Sequence, residues 1–190
     1  MIHQVGVLKD RLPCLALTRA GCQRGFTLVE LMITIALMVI LAAIAVPAFN
    51  ELTLGSKLRT QANDLVAGAV LARSEAIKRN SAVRMCVSAD GASCIVGGWE
   101  QGWVVFHDAD DNGALDAGET VLLQHQAAAS GFKVTGTVAS VRFPGAGVGA
   151  TPATLTVCRA IPSVGAQERV VSISATGRAS VAKTSTATCS

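Results

Sequence analysis

Asp108, Asp110, Asn112, Gly113, Asp116 and Glu119 satisfy the pattern D-x-D-x-N-G-x5-E letter for letter, with Leu115 at its apolar position. Side chains alternating in this way set oxygens around a hard cation such as calcium, while the glycine makes the sharp turn. The flanking runs 103–106 and 120–124 read as strands rather than helices, and a tight hairpin has the same Asp, Asn and Gly content for turn reasons alone. That context favours a structural hairpin over a calcium loop, and calcium is the one cofactor the sequence raises. Catalytic chemistry has little to stand on. Neither His107 nor His125 belongs to an H-E-x-x-H or nucleophile-elbow pattern, and His3 lies in a basic leader. The sequence does not read as an enzyme.

Glu30 is the more telling carboxylate. It stands at the start of a stretch in which residues 31–46, LMITIALMVILAAIAV, are interrupted only by Thr34. Residues 26–46 as a helix reach about 30 Å, enough to cross a hydrocarbon core. No face of this stretch is polar over four turns, which argues against a buried core helix. An ordinary secretory signal would be cut among the small residues after the run. Against that stands a carboxylate in an apolar setting, which is costly unless a positive charge compensates it.

The stretch Gly25-Phe26-Thr27-Leu28-Val29-Glu30 resembles the GFTLxE signal of prepilins, and Pro47 falls where that type IV pilin-like family carries a helix proline. The resemblance implies cleavage between Gly25 and Phe26 and N-methylation of Phe26 by a prepilin peptidase/N-methyltransferase. It further implies that Glu30 pairs with the terminal amine of a neighbouring subunit, and a matched pair offsets part of two desolvation costs. The implied partners are other pilins or pseudopilins and an inner-membrane assembly platform. The leader is longer than most type IV pilins carry, which leaves open a translation start within residues 1–23.

Charge and cysteines divide at the same boundary. Of 16 Lys and Arg and 13 Asp and Glu, four basic residues and one acidic residue fall in residues 1–25, so the rest of the chain is neutral. The excess lies on the side that the positive-inside rule keeps in the cytoplasm. Cys14 and Cys22 lie in this leader, where a reducing compartment keeps them as thiols. Cys86, Cys94, Cys158 and Cys189 follow the apolar run. Four cysteines in an exported domain permit three pairings, and closure of short loops favours Cys86 with Cys94 and Cys158 with Cys189.

Beyond the apolar run the helix is expected to continue. Leu58, Ala62, Leu65, Ala69, Ala72 and Ala76 recur at helical spacing and form one apolar stripe, with Pro47 and Gly55 as places where it could bend. After residue 80 the pattern changes to short runs at 82–87, 103–106, 120–124, 132–135, 138–143, 153–158 and 169–175, which read as strands. The Gly-rich stretch 144–152 reads as a mobile loop. The expected organisation is a leader over 1–25, a transmembrane helix over 26–47, its amphipathic continuation over 48–79, and a periplasmic β-rich head over 80–190. This is an α+β fold with a long N-terminal helix on an antiparallel head of one or two sheets. A helix-plus-head of this kind, together with CVSADGASC and GGWEQGWVVFHDADDNGALDAGE, resembles the GspH/FimT/FimU group of H-type pseudopilins and minor pilins. The resemblance implies a single-pass inner-membrane subunit, either a minor pilin of a type IV pilus or a type II secretion pseudopilin.

The head is electrostatically uneven. Residues 90–125 hold seven acidic side chains and no Lys or Arg, whereas 131–190 hold Lys133, Arg142, Arg159, Arg169, Arg178 and Lys183 against Glu168. Such a basic region can attract DNA phosphates without reading sequence. The resemblance adds that some FimT-like pilins hold DNA through a C-terminal Gly-Arg-x-Arg segment. Gly177 and Arg178 match it, Ser180 replaces the second arginine, and no aromatic accompanies the patch to stack bases. Arg178 and Lys183 are the candidate DNA contacts, and a solvated face or a contact between subunits is the stronger reading.

Overall fold

A computed structural model describes residues 25–160, 168–184 and 189. Residues 1–24 of the expected leader, with Cys14 and Cys22, therefore lie outside the described residues. The chain divides into two compact units after Ala43.

Helix α1 runs over Leu28–Arg79, in place of the expected start at residue 26. Its first turn has a cap written into the sequence: Glu30 N–H donates to Thr27 Oγ1 at 3.2 Å, and Leu31 N–H to the Thr27 carbonyl at 3.1 Å. Thr27-x-x-Glu30 is a capping-box pattern, and an acidic group in the first turn also complements the helix dipole. Residues 25–52 are exposed throughout, and α1 is, among the described residues, the one helix long and apolar enough to cross a membrane. Pro47 has no N–H for the Ala43 carbonyl, so one rung of the ladder is missing there.

The far end of α1 stops by a left-handed cap. Asn80 takes φ 48°, its N–H bonds the Ile77 carbonyl, and Ser81 N–H reaches the Ala76 carbonyl at 3.2 Å. This is the Schellman arrangement, with asparagine in the position glycine usually fills.

Eight strands follow: β1 (Val83–Val87), β2 (Trp103–His107), β3 (Thr120–His125), β4 (Phe132–Gly136), β5 (Ser140–Phe143), β6 (Ala153–Arg159), β7 (Glu168–Ile173) and β8 (Ala179–Thr184). They form two antiparallel four-stranded sheets, ordered β3-β2-β1-β5 and β4-β6-β7-β8. The expected strand at 138–143 begins only at Ser140, because the Val138 carbonyl accepts Trp99 Nε1 at 2.9 Å. The expected strand at 169–175 ends at Ile173, since Ser174 begins a turn closed by Gly177 N–H. That turn returns the chain as β8, which the sequence reading lacked.

The core joins one stripe of α1 to the inner faces of both sheets. The helix contributes Leu58, Ala62, Leu65, Ala69, Ala72 and Ala76, the stripe read from spacing, together with Gly68. Facing them are Val83, Met85, Val87, Trp103 and Val105 from the first sheet, and Leu155, Val157, Val171 and Ile173 from the second. Small residues on the helix let the sheets approach closely. A Cβ added at Gly68 would stand 2.6 Å from Trp103 Cη2 and Cζ3. The Gly-rich stretch at 144–152 is tied down rather than free. Gly149 and Ala150 donate to the Ala175 carbonyl, Gly147 donates to that of Pro144, and Arg73 Nη2 reaches the Gly147 carbonyl.

Candidate functional site

The N-terminal motif sits in an accessible setting. Gly25 precedes the helix, a Cβ added to it would meet no heavy atom within 4 Å, and Phe26 is 80% exposed. Glu30 follows within the first turn of α1, beside its own N-terminus. The Gly25–Phe26 bond therefore lies on exposed chain immediately before a capped helix. The capping role of Thr27 was readable from its spacing to Glu30, although the family signal drew attention to the carboxylate alone.

All four cysteines beyond the apolar run are bonded. Cys86 joins Cys94 and Cys158 joins Cys189, each with Cα atoms 5.7 Å apart. Cys86 lies on the outer face of the first sheet, where Val104, Phe106 and the partly buried Leu115 form a small second core with it. The loop carrying Cys94 is folded back by Ile95 N–H donating to the Val87 carbonyl at 2.8 Å. Asp90 organises its turn, accepting from the backbone N–H groups of Ala92 and Ser93 at 2.8 and 3.0 Å. These bonds, with those from the Ser93 and Ser88 hydroxyls, lower the Asp90 pKa to about 2.

The acidic loop between β2 and β3 answers a problem set by sheet register. Arg84 of β1 stands directly opposite Arg142 of β5 on the outer face, and like charges so placed repel. Asp108, fully buried, pairs with Arg84 Nε. Asp111 accepts from Arg142 Nε at 2.6 Å and from its Nη2, and also from Arg84 Nη2 at 3.2 Å. The Arg142 guanidinium lowers the Asp111 pKa and is itself held charged by it. Asp111 adopts φ 58°, which aims its carboxylate between the two arginines.

Within this loop, ligand oxygens of Asp108, Asp110 and Glu119 lie within 4.8 Å of one another, and these are the groups that could hold a cation. They already have donors. Asn112 N–H serves Asp108 and Asp110, Gly113 N–H serves Asp108, and Ala109 and Asp116 N–H serve Glu119. Asn112 turns Nδ2 to Asp110 and Asp116, at 2.9 and 2.6 Å, and its Oδ1 accepts from Ala114 N–H. This is the bonding of a self-supporting hairpin with arginine counter-ions. The register that creates the need for it is long-range and invisible in local spacing.

The histidines have structural partners: His107 Nε2 lies 2.9 Å from Ser81 Oγ, and His125 Nε2 lies 3.3 Å from Asp64 Oδ2. Among the described residues no nucleophile, base and oxyanion donor converge, so the site has no catalytic constellation. Arg178 and Lys183 are both exposed but lie apart, on either end of β8, about 17 Å along an extended strand. Arg178 sits by the Gly177 turn near Arg73, whereas Lys183 is opposite Arg169.

One long apolar helix opening on Gly25–Glu30, with a two-sheet head cross-linked twice, defines a pilin-like fold. A family model described as type II transport protein GspH matches residues 61–177, and a prokaryotic N-terminal methylation motif matches residues 21–46. The chain belongs to the GspH family. Fimbrial protein EcpC of Eikenella corrodens is 38% identical over 95 residues, covering 50% of this chain and 61% of that protein. The type IV major alpha-pilin of Moraxella bovis is 50% identical over 48 residues, 25% of this chain and 30% of that one. The chain thus spans less than two thirds of the length of either relative. The crystal structure of the type IV minor pilin FimU of Pseudomonas aeruginosa shares the fold. Its TM-score is 0.53 at 23% identity, over 71% of this chain and 95% of that one.

Proposed function

We propose that this chain is a minor pilin of a type IV pilus, a structural or initiating subunit of the filament with no catalytic role. Prepilin peptidase cuts between Gly25 and Phe26, the new amine is methylated, and α1 anchors the subunit in the inner membrane with its head in the periplasm. The apolar helix then leaves the bilayer to bundle with those of other pilins, driven by the assembly platform. The observation that carries this reading is the Gly25–Glu30 signal at the head of the chain's long apolar helix, within the stretch matching the methylation motif. Similarity to EcpC, which is named a fimbrial protein, supports a pilus over other filaments. The description of the matching family, a type II transport protein, supports a second reading as a secretion pseudopilin.

Intact-mass measurement of the membrane-extracted protein tests the processing. A mass beginning at methylated Phe26 is expected, and retention of residues 1–25 would sink the proposal. Copurification of tagged subunit with sheared pili, as against secretion pseudopili, separates the two machines. In the assembled filament Glu30 is expected to face the amine of Phe26 from a neighbour, so Glu30→Ala should abolish incorporation while leaving the protein in the membrane. Normal incorporation of that variant would contradict the charge pairing.

A further inference from the structure

The acidic hairpin between β2 and β3 is only partly neutralised from within the chain. Asp108 and Asp111 have Arg84 and Arg142 as counter-ions. Asp110, Asp116 and Glu119 accept only from backbone N–H groups and from the Asn112 side-chain amide. Those donors are neutral, so three carboxylates keep a charge that no described cation balances. Asp110 and Asp116 are exposed, and so are Ala114 and Ala117 beside them. The hairpin thus presents acid groups interleaved with small apolar ones.

A cleft of the converse chemistry lies between α1 and the turn that joins β7 to β8. Its volume is about 490 Å³, Arg73, Ser74 and Arg178 line it, and the exposed side chains of Val70 and Ile77 form its apolar walls. No carboxylate is among its lining residues. Glu75, the acidic residue nearest to Arg73 in sequence, is bonded to Lys78 and Arg79. The turn holds Arg73 in place. Gly177, at φ 70°, lets the arginine stem pass against it, and a Cβ added there would stand 3.1 Å from Arg73 Cδ. Arg73 Nε is buried without a hydrogen-bond partner, and its Nη2 has only the Gly147 carbonyl, at 3.4 Å. Among the described residues the Arg178 guanidinium has no partner; its hydrogen bonds, to Ser174, are made by the backbone.

A guanidinium suits a carboxylate because its planar fork donates two parallel bonds. We propose that the acidic hairpin of one copy of this chain docks in the Arg73–Arg178 cleft of the next. Charge complementarity selects that occupant: one chain carries both a surplus of carboxylates and, elsewhere on its head, a pair of arginines that lack them. Two different patches meeting in this way make a heterologous contact, which repeats along a helix when its rotation does not close. The walls of the cleft favour protein over a nucleic-acid backbone. Val70 and Ile77 can receive Ala114 and Ala117, whereas phosphates gain nothing from apolar side chains. Charge pairs near a surface contribute orientation and association rate more than affinity. The contact therefore sets how neighbouring heads register, and the inference deepens the filament reading above, on which it rests for its setting.

The test mixes full chains carrying light and heavy nitrogen in detergent and joins carboxylates to amines with a zero-length carbodiimide. Arg178→Lys and Arg73→Lys, made separately, keep the charge and supply the amine. Linked peptides combining a light and a heavy copy are expected to join position 178 or 73 to Asp110, Asp116 or Glu119. Lys78 and Glu75, 3.2 Å apart, should link within one copy and serve as the internal control. Asp110→Asn combined with Asp116→Asn should lower the mixed links about tenfold, with circular dichroism confirming that the head is folded. Salt at about 0.5 M should lower them about fivefold. Lys133, exposed on β4, should give no mixed link to the hairpin. Absence of mixed links from both variants, or links from Lys133 as abundant as those from position 178, overturns the proposal. So does duplex DNA retained through Arg178 with no mixed link, which would assign the cleft to nucleic acid. Mixed links in a chain that never enters filaments would sink the filament reading and leave this contact, whereas incorporation without them would sink this contact alone.

Discussion

Asp64 of α1 and His125 of β3 meet across the helix–sheet boundary, Oδ2 to Nε2 at 3.3 Å, while the imidazole stacks on Trp103 with centroids 4.9 Å apart and planes 4° from parallel. The ring thereby ties the edge strand of the first sheet to the helix through one polar and one apolar contact. His125→Ala is expected to destabilise the head by about 1–2 kcal/mol, most of it from the lost stack. Asp64→Ala should cost less than about 1 kcal/mol, as partly exposed pairs do. Urea denaturation of the two single variants and the double variant would isolate the coupling, expected at about 0.5 kcal/mol or above.

Gly68 offers a sharper test of packing. Alanine is the better helix former by about 0.5–1 kcal/mol, yet its methyl would enter the Trp103 ring edge at 2.6 Å. Gly68→Ala is expected to lower stability by about 1–3 kcal/mol despite its propensity gain. A raised melting temperature would show that the sheet can retreat from the helix.

The outer-face arginines make a graded prediction. Asp108 is fully buried beside Arg84 and also accepts from Asn112 and Gly113 N–H, so Asp108→Ala leaves Arg84 only its more exposed partner Asp111, orphans those donors and should cost about 3 kcal/mol. Asp111 is 40% exposed and its pairs with Arg142 and Arg84 are screened, so Asp111→Ala should cost only about 1 kcal/mol. Millimolar calcium is expected to leave the wild-type melting temperature unchanged. A calcium-dependent rise abolished by Glu119→Gln would instead assign the loop to cation binding.

Asp90 gives the pH dependence its direction. Its folded pKa, about 2, is below the unfolded value of 3.8 because the carboxylate accepts several hydrogen bonds. A depressed acid contributes stability that is fully present above the unfolded pKa and is lost as pH falls through the folded one. The melting temperature of wild type should therefore fall relative to Asp90→Asn between about pH 4.5 and 2. Parallel curves for the two proteins over that range would remove Asp90 from the account.

Local rules made much of this molecule legible. The stripe from Leu58 to Ala76 was readable because a single face of α1 meets the core, so period alone identifies it. Seven strands announced themselves through β-branched runs between turn residues. β8 did not, since ASVAKT is rich in alanine, carries a lysine and is exposed along most of its length. What spacing could not supply was register. The opposition of Arg84 to Arg142, and of Arg169 to Lys183, depends on which strands become neighbours. In sequence the acidic loop resembled a metal ligand set; in the fold Asp108 and Asp111 are counter-ions to arginines, while oxygens of Asp108, Asp110 and Glu119 lie within 4.8 Å of one another.

The two cross-links also place the head in time. Sulfur bonds of this kind form in an oxidising compartment and not in the reducing one where a leader is made. One fastens a loop against the back of the first sheet, and the other fastens the last cysteine to β6. If the head is exported as proposed, a chain that has not yet crossed the membrane lacks both fastenings. Under the proposed topology, closure of the two cross-links is a record of transit, since only a head that has crossed can carry both.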